Sequence, residues 1–325
     1  MKLKSLHIKN FKSIVDLEIV EPNPFTVFVG PNGSGKSNIF EALEFMKYVN
    51  YGDYEIVRTF GGQDSLANRA VNDFQFIFTI KINDLVHEIT NDYRKFKEFQ
   101  LGMRPYDEAI LDLFNNWGEF SQSFSRIFTK NKEKEFKKFE DSFKLSFSAS
   151  NLEKVLKRIL QDEVKREEIL EILQLLVPEL ENIEVYSDNI SGQDTLLIKE
   201  KNTSKPFGKS LISDGTYNIL CLLTAIYQSD ETQFLCIEEP ENGLSPYAIE
   251  LLVELMRNKC EEKGHYIWLN THSPTLVRQL RANELILVDK KDGATQIKQF
   301  EGKNFHGLSM DEAWLTNALG GGLPW

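Results

Sequence analysis

A lysine, a serine and two neighbouring glutamates are the residues of this chain best suited to phosphate chemistry. Gly30, Pro31, Asn32, Gly33, Ser34, Gly35, Lys36 and Ser37 meet the pattern GxxxxGK[ST], and Asn38 follows at once. Glycines let successive backbone N–H groups close around phosphate oxygens without a Cβ in the way. A helix that starts immediately afterwards points its positive end at the same anion. The spacing predicts Lys36 on the β- and γ-phosphates of ATP and Ser37 as a ligand of Mg²⁺. A chance turn would need neither a buried strand before the loop nor an amphipathic helix after it, and the sequence offers both.

Two further segments end apolar runs in polar residues. Phe234–Pro240 reads FLCIEEP. Such a strand would carry Glu238 and Glu239 to the edge of a sheet, beside the phosphate loop. Glu238 would hold the Mg²⁺ shell, directly or through water, and Glu239 would orient and polarise an attacking water. Tyr266–Pro274 reads YIWLNTHSP, ending in Asn270, Thr271, His272 and Ser273. His272 would then sit beside the γ-phosphate. A fourth segment, LISDGT, opens a helix at Gly215. Ser213 and Asp214 read as its N-cap. A helix start bearing Ser and Gly is equally an anion site.

These residues need a scaffold, and the chain patterns for one. Residues 3–20 read as one or two strands bent near Asn10–Ser13, and Phe25–Val29 as a buried strand. A helix follows over 38–48, and a strand over 74–82. From Leu85 to Asn182 the texture is charged and helical. Phe136, Phe139, Phe143 and Phe147 recur at helical spacing, and further helices are expected at 152–160 and 169–176. Strands return at 183–186 and 195–199. The remainder alternates: helix 215–227, strand 234–237, helix 246–258, strand 266–270, helix 274–280 and strand 285–289. That alternation predicts a parallel sheet covered on both faces. The tail from Ala318 is expected to be irregular.

Composition narrows the class. The 325 residues are 41% hydrophobic and 27% charged, with a formal net charge of −11. Such a charge disfavours a surface that coats nucleic acid without selectivity, although a local basic groove stays open. No apolar run approaches the roughly 18–20 residues of a membrane span. MKLKSLHIKN lacks the apolar stretch of a secretory signal, so a cytoplasmic location is expected. Cys221, Cys236 and Cys260 form no CxxC pair and read as inert thiols.

Together the four segments resemble the ATP-binding-cassette type ATPases, and more narrowly the soluble RecF, OLD-type and chromosome-maintenance branch, often labelled AAA-family ATPases. IKNFKSIVDLEI, GPNGSGKSN, SDGT, IEEPENGL and NTHSP follow that branch's order and approximate spacing. LLVPELENIEV and the ending ALGGGLPW are also similar. The resemblance covers both ends of the chain and is weakest over 85–182. It implies an α/β P-loop NTPase fold. The ABC-type head, with a parallel-sheet core plus antiparallel strands, would comprise 1–84 and 183–325. A helical insertion lobe would occupy 85–182. SDGT would be the signature: Ser213, Asp214 and Gly215 would contact ATP held by another subunit in a head-to-tail dimer. A Gln-bearing loop should sense Mg²⁺ and the attacking water, with Gln63 the candidate. Lys12 and Ser13 would lie near the nucleotide. Glu238 replaces the Asp of transporter cassettes. Tyr217–Asn218 replace Leu-Arg, and Ser245 replaces His.

Three roles fit such a head. The first is an ATPase that gates a partner effector, such as a nuclease in an antiphage or toxin-like system. The residues after His272 are too few for the Toprim nuclease domain of full OLD proteins. The second is a RecF-like DNA clamp, with Lys130, Lys132, Lys134, Lys137 and Lys138 in its groove. Glu133, Glu135, Glu140 and Asp141 dilute that run. The third is a transporter subunit, which the insert and IEEPE disfavour.

Overall fold

The hairpin at the start of the chain forms because β1 (Leu3–Phe11) and β2 (Ile14–Val20) each bury a set of apolar side chains and leave the polar ones partly or wholly exposed. Asn10 and Lys12 take φ of 54° and 50° to make its bend. The computed structural model describes residues 2–49, 60–68, 77–83, 85–90, 118–128, 143–188, 192–301, 305 and 307–322. β3 (Phe25–Val29) is buried throughout and leads through the glycine loop into α1 (Lys36–Val49). After the short α2 (Gln63–Leu66), β4 (Ile77–Ile82) and β5 (Leu85–Thr90) extend the hairpin. The result is an antiparallel sheet of order β2-β1-β4-β5.

β6 (Phe124–Ile127) follows, then α3 (Leu152–Ile159) and α4 (Glu163–Leu176). Asp162 caps α4 by accepting from the N–H groups of Val164 and Lys165. β7 (Leu180–Ser187), β8 (Asp194–Glu200) and β9 (Phe207–Gly208) form a small antiparallel sheet. Next come α5 (Asp214–Tyr227), β10 (Phe234–Glu238), α6 (Pro246–Lys263) and β11 (Tyr266–Thr271). α7 (Pro274–Val277), β12 (Leu285–Lys291), β13 (Ala294–Gln299) and α8 (Met310–Leu315) complete the described elements. The central sheet has the order β13-β12-β3-β11-β10-β6, parallel except for β13.

Strand alternation divides the core into two layers. Val27, Leu235, Ile237, Ile267 and Leu269 pack with residues of α3, α4, α5 and α6. Phe28, Phe234, Cys236 and Trp268 pack instead with α1 and the antiparallel sheet. Phe234 meets Trp268 edge-on with ring centroids 4.8 Å apart. All three cysteines are buried and free. Among the described residues no helix is long and apolar enough to cross a membrane.

The expectation of a helical lobe over 85–182 needs correction. Residues 85–90 are a strand of the antiparallel sheet, and Phe124–Ile127 is a strand of the core sheet itself. Phe143 and Phe147 lie in irregular chain rather than on a helix. Phe147 instead packs edge-on against Phe128. Helical spacing of aromatics is only a weak signal when the chain is held by tertiary contacts. α3 and α4 are helices as expected, and Phe136, Phe139 and the lysine run lie outside the described residues. The helix expected at 274–280 is a single turn, and β13 and α8 carry too weak an apolar period to read from sequence.

The turn between α6 and β11 generates a test of acid stability. His265 is buried there and accepts a hydrogen bond from the Gln233 N–H at 3.4 Å through Nδ1. Burial, reinforced by Lys259 and Lys263, pulls its imidazole down to about 4. The unfolded ring takes its proton near pH 6.5. The stabilisation is therefore complete above about pH 6.5 and is lost as the pH falls towards 4. His265→Gln should lose about 1 kcal/mol less between pH 7 and pH 4.5 than the natural chain, allowing for solvent screening. Urea unfolding at the two pH values measures the difference.

Candidate active site

The sequence motifs come together where the parallel strands end. β3 delivers the glycine loop, in which Gly33 and Gly35 adopt φ of 79° and 102°. Side chains rarely tolerate that region. A Cβ on Gly35 would also lie 2.0 Å from Thr295 Oγ1. Thr295, on β13, donates to the Ser34 carbonyl at 2.9 Å and pairs with Ser13 Oγ at 2.6 Å. Asn38 Nδ2 donates to the same Ser13 hydroxyl at 2.6 Å. The hairpin bend therefore abuts the loop. Lys12 pairs with Glu41 of α1.

The loop fits a phosphate chain. Lys36 Nζ donates to the carbonyls of Gly30 and Pro31 at 2.6 and 2.8 Å. Burial lowers the ammonium to about 8, against the opposing fields of Glu239, Glu241 and Glu238. A buried cation with too little counter-charge favours an anion. Ser34 Oγ is buried with no hydrogen-bond partner.

The donor set beside it fits a hard cation. Ser37 Oγ donates to Glu238 Oε2 at 2.7 Å, and Asn270 Nδ2 donates to Ser37 Oγ at 3.3 Å. Mg²⁺ commonly takes one or two protein oxygens alongside phosphate and water. Among the described residues no cluster of three or more His, Cys, Asp or Glu could hold a metal by itself.

Glu239 adopts φ 48°, which turns its N–H onto the carbonyl and side-chain oxygens of Asn270, at 3.0 and 3.1 Å. Asn242 Nδ2 holds Glu239 Oε2 at 3.0 Å, and Oε1 lies 3.7 Å from Nδ1 of His272. That ring nitrogen is buried without a hydrogen-bond partner. Glu241 accepts from the Thr271 hydroxyl at 2.5 Å, and burial pushes its carboxyl above the ordinary range.

The SDGT segment is tied to this cluster from behind. Ser213 Oγ caps α5 by accepting from Thr216 N at 3.1 Å, and Ser213 and Asp214 are exposed. Asn218 Nδ2 donates to the carbonyls of Pro240 and Asn242 at 3.0 and 2.8 Å. A Cβ on Gly215 would lie 2.4 Å from the Gly243 carbonyl oxygen. The geometry thus joins Ser37 to Glu238 and brings Glu239 beside His272, with Asn270 bridging the two pairs, and ties in Gly215 through its neighbours. Gln63 opens α2, but its side chain lies outside the described residues.

Three contributors were not singled out from sequence. Thr295 acts through Ser13 and Ser34, remote in the chain, and Asn242 through Glu239 in a turn whose geometry carries no distinctive sequence pattern. Arg126 was hidden because residues 85–182 read as helical. Its signal is an arginine inside a short apolar run, SFSRIF. A buried strand arginine demands carboxylates.

The sequence profile of the family described as "AAA domain, putative AbiEii toxin, Type IV TA system" matches residues 25–278. Chromosome partition protein Smc of Methanocaldococcus jannaschii is 52% identical over 44 residues, 14% of this chain and 4% of its own length. DNA replication and repair protein RecF of Lactococcus lactis subsp. cremoris is 38% identical over 66 residues, 19% of this chain and 18% of its own. The chain thus spans a minor part of these curated relatives. Among solved structures, an Smc head bound to the C-winged helix domain of ScpA superposes with a TM-score of 0.57. Identity is 16%, and the match covers 95% of this chain and 100% of that one. The Smc head with an extended coiled coil, bound to the C-terminal domain of ScpA derived from Pyrococcus furiosus, gives a TM-score of 0.51 at 15% identity, covering 98% of each chain. At such identities the likeness is one of fold.

The contact between α5 and residue 243 can be tested alone. Gly215→Ala should force the two segments apart and cost about 1–3 kcal/mol, the usual range for overpacking. Gly208→Ala is the control, since its Cβ would meet nothing closer than 3.8 Å. Urea denaturation of both variants reads the difference.

Proposed function

The chain belongs to the AAA-domain family whose profile it matches, within the RecF- and SMC-like branch of ABC-type ATPases, and on that premise we propose that it hydrolyses ATP between two heads. The observation that carries this reading is the meeting of Ser37, Glu238, Glu239 and His272 at one sheet edge. Lys36 and the N–H groups of 33–37 bind the phosphates. Ser37 and Glu238 hold Mg²⁺, which when bound supplies positive charge against the phosphate oxygens.

Glu239 orients the attacking water and draws on its proton. Its Oε2 is occupied by Asn242, so Oε1 is the oxygen left for that task. Its neighbour His272 adds a polar group on the γ-phosphate side. Ser213 and Gly215 act on nucleotide held by a second copy, in a head-to-tail dimer. The exposure of Ser213, with Asp214, at the start of α5 supports this assignment.

ATP-driven closing and opening of the dimer then gates a separate effector, such as a nuclease in an antiphage or toxin-like system. The family description, which names a toxin of a type IV system, supports that direction. Co-purification of a second protein from the native source is the expected outcome; full activity of the isolated chain would contradict it. The second reading is a RecF-like DNA clamp, favoured by the local identity to RecF and Smc proteins. It requires salt-sensitive DNA binding that depends on ATP.

The chemistry has sharper tests. Glu239→Gln should bind ATP, accumulate dimer and lose about 10²–10⁴-fold in turnover, the span of a positioned general base. Unimpaired turnover would mean that another group handles the water. Ser213→Arg should bind ATP as a monomer; sedimentation showing normal ATP-induced dimers would refute the shared site.

A further inference from the structure

Three carboxylates converge on one buried guanidinium. Arg126 lies within β6, and its side chain is only 6% exposed. Nε donates to Glu238 Oε1 at 2.7 Å, and one terminal nitrogen bonds the same oxygen. The other terminal nitrogen donates to Glu44 Oε2 at 2.7 Å. Glu41 Oε1 is 3.6 Å away. The face of the guanidinium packs 4.9 Å from the Phe147 ring centroid.

The two oxygens of Glu238 are thereby divided. Both guanidinium contacts fall on Oε1, while Oε2 accepts from Ser37. A carboxylate free to swing about its last torsion could turn either oxygen, or both, towards a cation. The fork of an arginine fixes such a group in plane and direction. Arg126 is itself fixed, because β6 pairs with β10 in parallel and Arg126 stands beside Cys236. Formal charge points the same way. Glu41, Glu44 and Glu238 would repel one another if left alone, and Arg126 with Lys12 offsets two of the three charges.

We propose that Arg126 is a positioning residue for the cation site, holding Glu238 by Oε1 so that Oε2 faces, beside Ser37, the divalent cation that accompanies ATP. The inference rests on the ATPase reading above. Arg126 touches neither Ser37 nor the glycine loop in the contacts described, so its effect should fall on the metal rather than on the phosphate chain.

The test uses the full chain, a non-hydrolysable ATP analogue and Mn²⁺. Affinity for the analogue is measured in EDTA and in excess Mn²⁺, with bound Mn²⁺ followed by its electron paramagnetic resonance spectrum. Arg126→Gln should leave affinity in EDTA unchanged and reduce the Mn²⁺-dependent gain by about 10–100-fold, as expected for a group that orients a metal ligand. Arg126→Lys should recover part of the gain, since one ammonium can reach Oε1 but cannot also fork to Glu44. The double variant Arg126→Gln/Glu44→Gln removes an unpaired buried charge and serves if the single variant unfolds. It too should lose the gain. A natural Mn²⁺-dependent gain in any folded glutamine variant overturns the proposal. A parallel loss of affinity in EDTA also overturns it, by showing general distortion of the site. If the natural chain shows no analogue binding at all, the ATPase reading fails first, and the proposal falls with it.

Discussion

The hydroxyl of Ser37 and the carboxylate of Glu238 meet although 201 residues separate them. Their contact depends on strand order. β3 places the start of α1, β10 places the glutamate, and β11 lies between them with Asn270 bridging to Ser37. A slip of one residue in either parallel pairing would turn Glu238 to the other face of the sheet. FTVFV, FLCI and YIWL are buried on both faces, and a slip would exchange their side chains between two differently packed core layers. The packing of Trp268 against Phe28 and Phe234 is thus part of how the site is held in register.

How far the sequence discloses this arrangement depends on where each constraint is local. The glycine loop, the helix after it and the strands at 25–29, 234–238 and 266–271 were legible, since buried strands and a helix start leave strong composition signals. The cap at Ser213 was legible as a helix start, whereas the cap that Ser245 makes on α6 was not read from the sequence. Nor was β6. Four residues with two apolar side chains, a serine and an arginine lack the length to announce a strand, and the charged chain around them suggests helix. Its place beside β10 is decided by long-range pairing. Thr295 is a further case, a strand residue whose partners Ser13 and Ser34 lie far away in sequence.

Charge is arranged in two compartments around the same strand end. On the α1 side, Glu41, Glu44 and Glu238 are matched by Arg126 and Lys12. On the α6 side, Glu241 is buried against Thr271, with no cation bonded to its carboxylate among the contacts described, and its acidity falls accordingly. Glu239 lies between them, with one oxygen held by an amide and the other facing an imidazole. Neighbouring glutamates of identical chemistry thereby acquire different partners, which is one way a protein assigns separate tasks to like residues.

Asn218 gives α5 a mechanical relation to this cluster. One amide grips two successive bends of the chain, at Pro240 and Asn242, and Asn242 in turn grips Glu239. The train of side chains works as a crank. Because Gly215 and Gly243 are already in van der Waals contact, there is no slack to absorb a small rotation of the helix. A rotation imposed at the exposed tip, where Ser213 and Asp214 sit, would pass along these hydrogen bonds towards the carboxylate that faces His272.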